Sequence, residues 1–427
     1  MGDPPRVAYL TGEYPRATDT WIQREVAALR DRGVVVDTFA VRRPGAEQLV
    51  GDEQRAEHAR TTYLLDRLRS ASVAGTHARL LARNPRRYLS ALRLAWSTRR
   101  PGLAGSLYQL AYFMEAGVLA DELRRRHLPH LHNHFGDSSC TVAMLAAELS
   151  GRTFSFTLHG PGIFFEPHTW RLDEKLRRAA FCACISYFCR SQAAIFAAPG
   201  DGNRLHIIHC GIDPTALQPR RHEGTGDRVL FVGRLAEVKG LPVLLEALRI
   251  VAKTHPTVSL TVVGDGPGRE RFEAVARDLG LTGAVDFVGY RSQAEVASHL
   301  AETDVFVLPS YAEGVPVTLM EAMGSGLPVV ATQVGGVSEL VEHERNGFIV
   351  KPGDPAELAD RISTLVGDPR RRQRFGDAGR SRVESDFSNV TESARLALLF
   401  ANTATGVPSP VRPELPPDGE RPELGPG

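Results

Sequence analysis

Two short apolar runs, 305–308 (VFVL) and 328–331 (PVVA), are separated by a single helical pattern. Each is apolar at every position and bounded by turn residues, the pattern of a parallel strand covered on both faces. A parallel pair needs a crossover, so this stretch commits the chain to an α/β architecture. Between the runs, Thr318-Leu319-Met320-Glu321 has the Ser/Thr-x-x-Glu form of a capping box. It predicts a helix starting at Thr318, with Gly324, Gly326 and Pro328 ending it two turns later. Glu313 falls in the loop just ahead. Free N–H groups at a helix start favour an anion, and open α/β sheets bind ligands beyond the carboxyl ends of their strands. Glu313 and Glu321 are thus placed to take sugar hydroxyls on either side of a phosphate group. On spacing alone the plainer reading stands beside this one, with Glu321 as a cap and Glu313 facing solvent.

The same alternation runs through both halves. Residues 7–10 read as a first strand, followed by the loop 11–15 (TGEYP) and a helix over 20–32 with Ile22, Val26 and Leu29 at helical spacing. Gly33 ends that helix, and 34–36 (VVV) opens a second strand. Residues 130–136 (HLHNHFG) read as a strand end before a helix over 138–149. Residues 153–158 (TFSFTL) alternate as a strand that delivers His159 to its carboxyl end. The run 205–209 is the last strand of this half, and the polar segment 218–227 reads as a linker. Strands at 229–232, 259–263 and 284–289 then restart the pattern, and helices follow Gly353 to about Phe400.

Several residue groups carry chemistry on this frame. Arg234 and Lys239 share one strand-to-helix turn, where a bidentate fork and a point charge together neutralise a diphosphate. His130, His132 and His134 would share a strand face, which admits a zinc site, but no acid or cysteine sits nearby at ligand spacing. Cys182, Cys184, Cys189 and Cys210 match no zinc pattern and read as core. The turn 264–269 (GDGPGR) lacks the third glycine of a dinucleotide fingerprint, and Asp286 falls at the start of its strand, which argues against NAD. No Asp-x-Asp occurs anywhere.

The segments EGVPVTLMEAMGSGLPVVAT, GGVSELVEHERNGFIVKPGDP and FVGRLAEVKG resemble glycosyltransferase family four, the retaining group with the GT-B fold. The opening TGEYPRATDTWIQRE and the segment HNHFG resemble its bacterial exopolysaccharide, colanic-acid-type branch. The resemblance implies two doubly wound, Rossmann-like domains facing across a cleft. It implies transfer of a sugar from a nucleotide-diphosphate donor to a glycan or polyprenyl-linked acceptor, with no cofactor and no bound metal. Its catalytic set falls on His159, Glu313, Arg234 and Lys239. Its donor-binding set falls on Gly12, Gly264, Gly266, Arg291, Gly314, Val315, Val317, Thr318 and Glu321, although Gly12 reads equally as a plain turn glycine. Val315-Pro316 stands where many members have Phe-Gly, so phosphate binding rests more on the Val317 and Thr318 amides. A nucleotide-sugar epimerase of the same fold, or a non-catalytic sugar-nucleotide scaffold, are the other classes to weigh.

At 427 residues the chain predicts more than one domain. The expected divisions are 1–217, 218–388, a helix over 389–403 crossing back to the first domain, and a disordered tail over 404–427 with seven prolines. A formal net charge of +1 argues against nucleic acid as a partner. Within the helical excursion 47–127, however, residues 60–126 hold thirteen Arg against four acids. With Tyr88, Leu89, Leu92, Leu94 and Trp96 interleaved, this block suits an anionic membrane surface or a solvated helical face. An odd cysteine count, no signal-like start and no run of about 20 apolar residues fit a cytoplasmic enzyme, at most at the inner face of the membrane.

Overall fold

Uniformly apolar runs become the central strands of one parallel sheet, while the polar run HLHNH takes the middle of the other. The computed structural model describes residues 5–16, 19–49, 51–68 and 72–415. It divides into two units, one running to His209 and resuming at Glu392, the other spanning Cys210–Thr391. The first division therefore follows His209 rather than Leu217.

In the first unit the strands are β1 (Arg6–Glu13), β2 (Val35–Arg42), β3 (Thr62–Tyr63), β4 (His130–His134), β5 (Thr153–Leu158), β6 (Cys182–Cys184) and β7 (Leu205–Ile207). They lie in the order β3-β2-β1-β4-β5-β6-β7, all parallel, so the strand order reverses between β1 and β4. β1 is longer than expected and carries Gly12 inside its last turn-ward residues, paired through Thr11 and Glu13 to β2. The excursion is helical, as its composition indicates, except that Thr62–Tyr63 adds an edge strand beside β2.

The helix Asn389–Thr405 seats Leu396, Leu399 and Phe400 in this unit's core with Tyr9, Ile22 and Phe181. Burying a ring such as Phe400 contributes about 1.5–3 kcal/mol. The segment after it is not free. Ile207 N–H donates to Val411 O at 2.6 Å, and Arg412 meets Glu392 at 2.8 Å. The expectation of disorder is thus corrected for residues 404–415, whose carbonyls serve the open edge of β7. The rest of that tail, 416–427, lies outside the described residues.

In the second unit the strands are β8 (Arg228–Val232), β9 (Ser259–Val263), β10 (Val285–Gly289), β11 (Val305–Leu308), β12 (Val329–Thr332) and β13 (Gly347–Val350). Their order is β10-β9-β8-β11-β12-β13, again parallel, with the reversal between β8 and β11. The polar run 218–227, expected to be a linker, is bound to this unit. Arg220 pairs with Asp304 at 2.6 Å, His222 Nε2 meets Gly326 O at 2.8 Å, and buried Arg372 donates to Gly224 O at 2.7 Å. Its composition misled because Arg220 and His222 are spent on carbonyls and one buried carboxylate. Burial pushes Asp304 up, but Arg228 and Arg220 outweigh it and hold the carboxyl below its usual range.

Candidate functional site

In the second unit the reversal between β8 and β11 sets their two exit loops side by side, the position where open sheets bind ligands. Gly240 closes the β8 loop at φ +66, and a Cβ there would stand 2.1 Å from Pro309 O. Only glycine permits this approach. Tyr311 N–H completes the junction by donating to Val238 O at 2.8 Å.

The junction brings Lys239 and Glu313 together. Lys239 Nζ lies 2.6 Å from Glu313 Oε1, and Ser310 Oγ donates to the same oxygen at 2.6 Å. Oε2 has no partner among the described residues, so one carboxylate oxygen remains for a ligand hydroxyl. Arg234, just past β8, is exposed and its guanidinium makes no hydrogen bond or ion pair among the described residues. An unspent fork on the same loop as a held ammonium suits an anion.

The loop after β9 packs on the Arg234 turn. Gly264 has φ +126, and a Cβ on it would meet Gly233 O at 2.0 Å. Leu235 N–H donates to Asp265 O at 2.9 Å, which holds Gly266 in the same turn. Arg269, where a fingerprint would need glycine, is tied to Asp265, Glu273 and Phe287 O. Arg291 follows β10 and is exposed, bonded to Tyr290 O at 3.1 Å.

The helix between β11 and β12 is Val317–Gly324, and its N-cap is Pro316 rather than Thr318. No side chain caps it, so the expected capping box does not form. Leu319 and Met320 donate to Pro316 O, while the Val317 and Thr318 amides have no backbone acceptor among the described residues. Gly314 O accepts from Gly336 N–H at 2.8 Å, and Val315 is buried. Glu321 is buried within the helix.

In the first unit the strand ends are organised by histidines. His130 lies between Thr153 Oγ1 and Ser155 Oγ at 2.7 Å each, and His132 between Ser155 Oγ at 2.8 Å and Thr157 Oγ1 at 2.9 Å. Both nitrogens of each ring are therefore occupied. Glu25, His132 and His134 approach one another closely enough to suggest a metal, but a cation on His132 would have to displace a hydroxyl.

His134 breaks the ladder. Its Nδ1 meets His159 Nε2 at 2.6 Å, its Nε2 lies 3.2 Å from Glu25 Oε1, and Tyr9 donates to that oxygen at 2.8 Å. The His159 ring also packs near Phe135 and Trp21. Burial first, then His134, hold His159 well below the usual histidine value, so its imidazole is neutral at pH 7. Phe135 takes the left-handed conformation at φ 71, a cost for a bulky residue, and is pinned by Asn133 Nδ2 to its carbonyl at 2.8 Å. Lys175 Nζ clamps the next two carbonyls, Gly136 O at 2.7 Å and Asp137 O at 2.8 Å. Burial lowers this ammonium to about 8. Gly12 has open space where a side chain would stand, and no positive φ requires glycine there.

Ser310, Glu25, Asn133 and Lys175 were missed in the sequence. Ser310 alone left a signal, a hydroxyl three residues before a candidate carboxylate. The others reach their partners across the fold.

Comparison with known proteins agrees with this geometry. Residues 214–382 match the model of "Glycosyl transferases group 1". The chain is 26% identical over 428 residues to a putative colanic acid biosynthesis glycosyltransferase, WcaL, of Escherichia coli, covering 92% of this chain and 99% of that one. It is 26% identical over 417 residues to the amylovoran biosynthesis glycosyltransferase AmsK of Erwinia amylovora, covering 93% and 100%. Among solved structures, Anabaena Alr3699/HepE in complex with UDP superposes with a TM-score of 0.68 at 20% identity, covering 93% of this chain and 100% of that one. Sucrose-phosphate synthase of Thermosynechococcus elongatus gives 0.72 at 20% identity, covering 94% and 100%. The chain has the GT-B fold and carries a group 1 glycosyltransferase domain over residues 214–382.

Proposed function

We propose that this enzyme moves a sugar from a nucleoside-diphosphate sugar to a glycan or polyprenyl-linked acceptor in exopolysaccharide synthesis. The transfer proceeds with retention at the anomeric carbon and without bound metal. The observation that carries this reading is the Lys239–Glu313 contact at 2.6 Å, on the same loop as Arg234, whose guanidinium has no partner among the described residues, at the strand reversal of the second unit.

The bond from the anomeric carbon to the diphosphate oxygen breaks, and the acceptor oxygen replaces it on the same face while its proton is released. Charge grows on the leaving diphosphate. Arg234 and Lys239 meet that charge, together with the amides of Val317 and Thr318, so the charge a metal would bring is already present. Glu313 holds Lys239 through one oxygen and takes a donor-sugar hydroxyl with the other. Glu321 takes the ribose hydroxyls. Gly264, Gly266 and Arg291 border the nucleotide, Gly314 and Val315 shape the loop, and His159 and Gly12 serve the donor sugar.

We also propose a peripheral contact with anionic membrane on the cytoplasmic side. Among the described residues no helix is long and apolar enough to cross a membrane. The helix Pro85–Thr98 exposes Leu89, Leu92 and Trp96 on the same helix as Arg86, Arg87 and Arg93, and Gly102–Arg125 adds exposed Leu103, Leu107 and Leu110, which supports that reading. Leu94 is buried, so the face differs from the one expected from sequence.

The test is mass spectrometry of products after incubation with a panel of UDP- and GDP-sugars and a polyprenyl-linked acceptor, with and without EDTA. A product of one added sugar, formed equally in EDTA, is expected. Donor hydrolysis or epimerisation without transfer would overturn the reading, and loss in EDTA restored by Mn²⁺ would overturn its metal-free part.

A further inference from the structure

A second cationic site lies in the first unit at the amino-terminal edge of its sheet, the end away from His134 and His159. A cavity of about 460 Å³ opens there, and Arg87, Arg152, Arg178 and Arg204 line it. Thr153, which begins β5, and Ala179 and Ala180, which precede β6, form its floor. Glu148 is its single carboxylate.

Two of these arginines have structural duties. Arg178 pairs with Glu174 at 3.0 Å and Glu148 at 3.4 Å, and Arg204 donates to Arg177 O at 2.7 Å. Ser90 also binds Glu148. Arg87 and Arg152 have no such duty. Neither guanidinium makes a hydrogen bond or an ion pair among the described residues, and Arg152 Nε is buried without an acceptor.

The ordinary use of cations here would be to cap the last carbonyls of the helix Ser138–Ser150, whose end at Gly151 adjoins the cavity. They do not. Burial, with repulsion from Arg83, Arg152 and Arg87, also depresses the nearby Arg124, so cations crowd this edge beyond what its acids offset. Like charges gathered around an open cavity, with donors left unmade, are a cost that a bound anion removes.

We infer that this cavity is a binding site for a phosphate-bearing anion, separate from the transfer site and formed chiefly by Arg87 and Arg152 with Arg178 and Arg204 behind them. Planar forks in a concave basic pocket suit a phosphomonoester or diphosphate group. Such a group is offered by a soluble metabolite or by a lipid headgroup.

The experiment titrates inorganic pyrophosphate into the full chain by calorimetry, and sediments the chain with phosphatidylcholine vesicles with or without phosphatidic acid. Wild type is compared with Arg87→Ala/Arg152→Ala and with Arg234→Ala/Lys239→Ala. Two lost forks should weaken pyrophosphate at this site at least about tenfold in the first variant, while the second variant keeps the site. If vesicle binding falls as well, the anion is a headgroup; if it does not, the anion is soluble. Should the alanine pair fail to fold by circular dichroism, Arg87→Lys/Arg152→Lys keeps the charge, removes the forks and should still weaken binding several-fold. Folded variants that bind pyrophosphate and vesicles as wild type does would overturn the site.

Discussion

β4 and β11 hold the same place in their two sheets, each joined to its unit's first strand where the order reverses, and they are built from opposite materials. β11 is VFVL and β4 is HLHNH, yet every side chain of both is buried. β11 is stable because it is apolar on both faces. β4 is stable because β5 supplies a hydroxyl at each alternate position, in the register His130↔Thr153, His132↔Ser155 and His134↔Thr157. A buried ring nitrogen without such a partner is costly, whereas one that is matched positions the next ring. The second unit therefore keeps its polar chemistry in loops after inert strands, while the first runs a polar ladder through the strand itself to His159.

The largest expected effect tests the loop half of this contrast. Because Arg234 and Lys239 lie outside the core, Arg234→Ala and Lys239→Ala should each reduce kcat by about 10²–10³ with the fold unchanged, the usual cost of removing one charge-stabilising donor. Steady-state rates with circular dichroism measure both. A folded double variant with wild-type kcat would remove these residues from the mechanism.

The ladder half should show in acid. Burial lowers His130 to about 3 and holds His132 and His159 well below the usual value. The unfolded chain takes up these protons near pH 6.5, the folded chain only far below it. Stability is therefore complete above about pH 6.5 and falls with pH by about 1.4 kcal/mol per unit for each such histidine. His77 and His206 are also lowered in the first unit, against His222 alone in the second, among the described residues. The depressed Asp304 adds stability to the second unit that is lost only below about pH 4, its unfolded range. Hydrogen exchange read by mass spectrometry at pH 5 should open β4 and β5 before β8 and β11. The opposite order would break the comparison.

A single hydroxyl should reveal the ladder's worth. Ser155 Oγ serves His130 and His132 together, so Ser155→Ala strands two buried nitrogens and should cost about 1–3 kcal/mol in urea unfolding. A loss of a few tenths of a kcal/mol would mean the rings find other partners.

This contrast also explains what was legible beforehand. β11, β12 and the Arg234–Lys239 turn could be read because apolar runs and loop motifs are local in sequence. The alternate histidines could be placed on one face, but their partners could not, because Thr153, Ser155 and Thr157 are set by strand register. The polar run 218–227 failed for the same reason, Arg220 and His222 being answered by Asp304 and Gly326, 84 and 104 residues on. Gly12 was placed in a loop because β1 continues past its apolar run to pair with β2.

The smallest effect separates two stretches of the second unit with the same spelling. Ser292-Gln293-Ala294-Glu295 and Thr318-Leu319-Met320-Glu321 both have the capping-box form, and only the first makes one: Ser292 accepts from Glu295 N–H, and Glu295 accepts from Ser292 N–H at 2.8 Å. In the second stretch Pro316 already holds the extended conformation of an N-cap, at φ −73 and ψ 123, and its carbonyl takes the Leu319 and Met320 amides. Thr318 is then one residue inside the helix, where its hydroxyl cannot reach back to cap. Ser292→Ala should cost about 1 kcal/mol, and Thr318→Ala no more than a few tenths, in the absence of donor. Glu321→Gln should weaken donor binding and so reduce the stabilisation that nucleotide sugar gives, since its carboxylate is proposed to take the ribose hydroxyls. Thermal unfolding with and without nucleotide sugar measures all three, and a Thr318→Ala loss equal to that of Ser292→Ala would restore the capping reading.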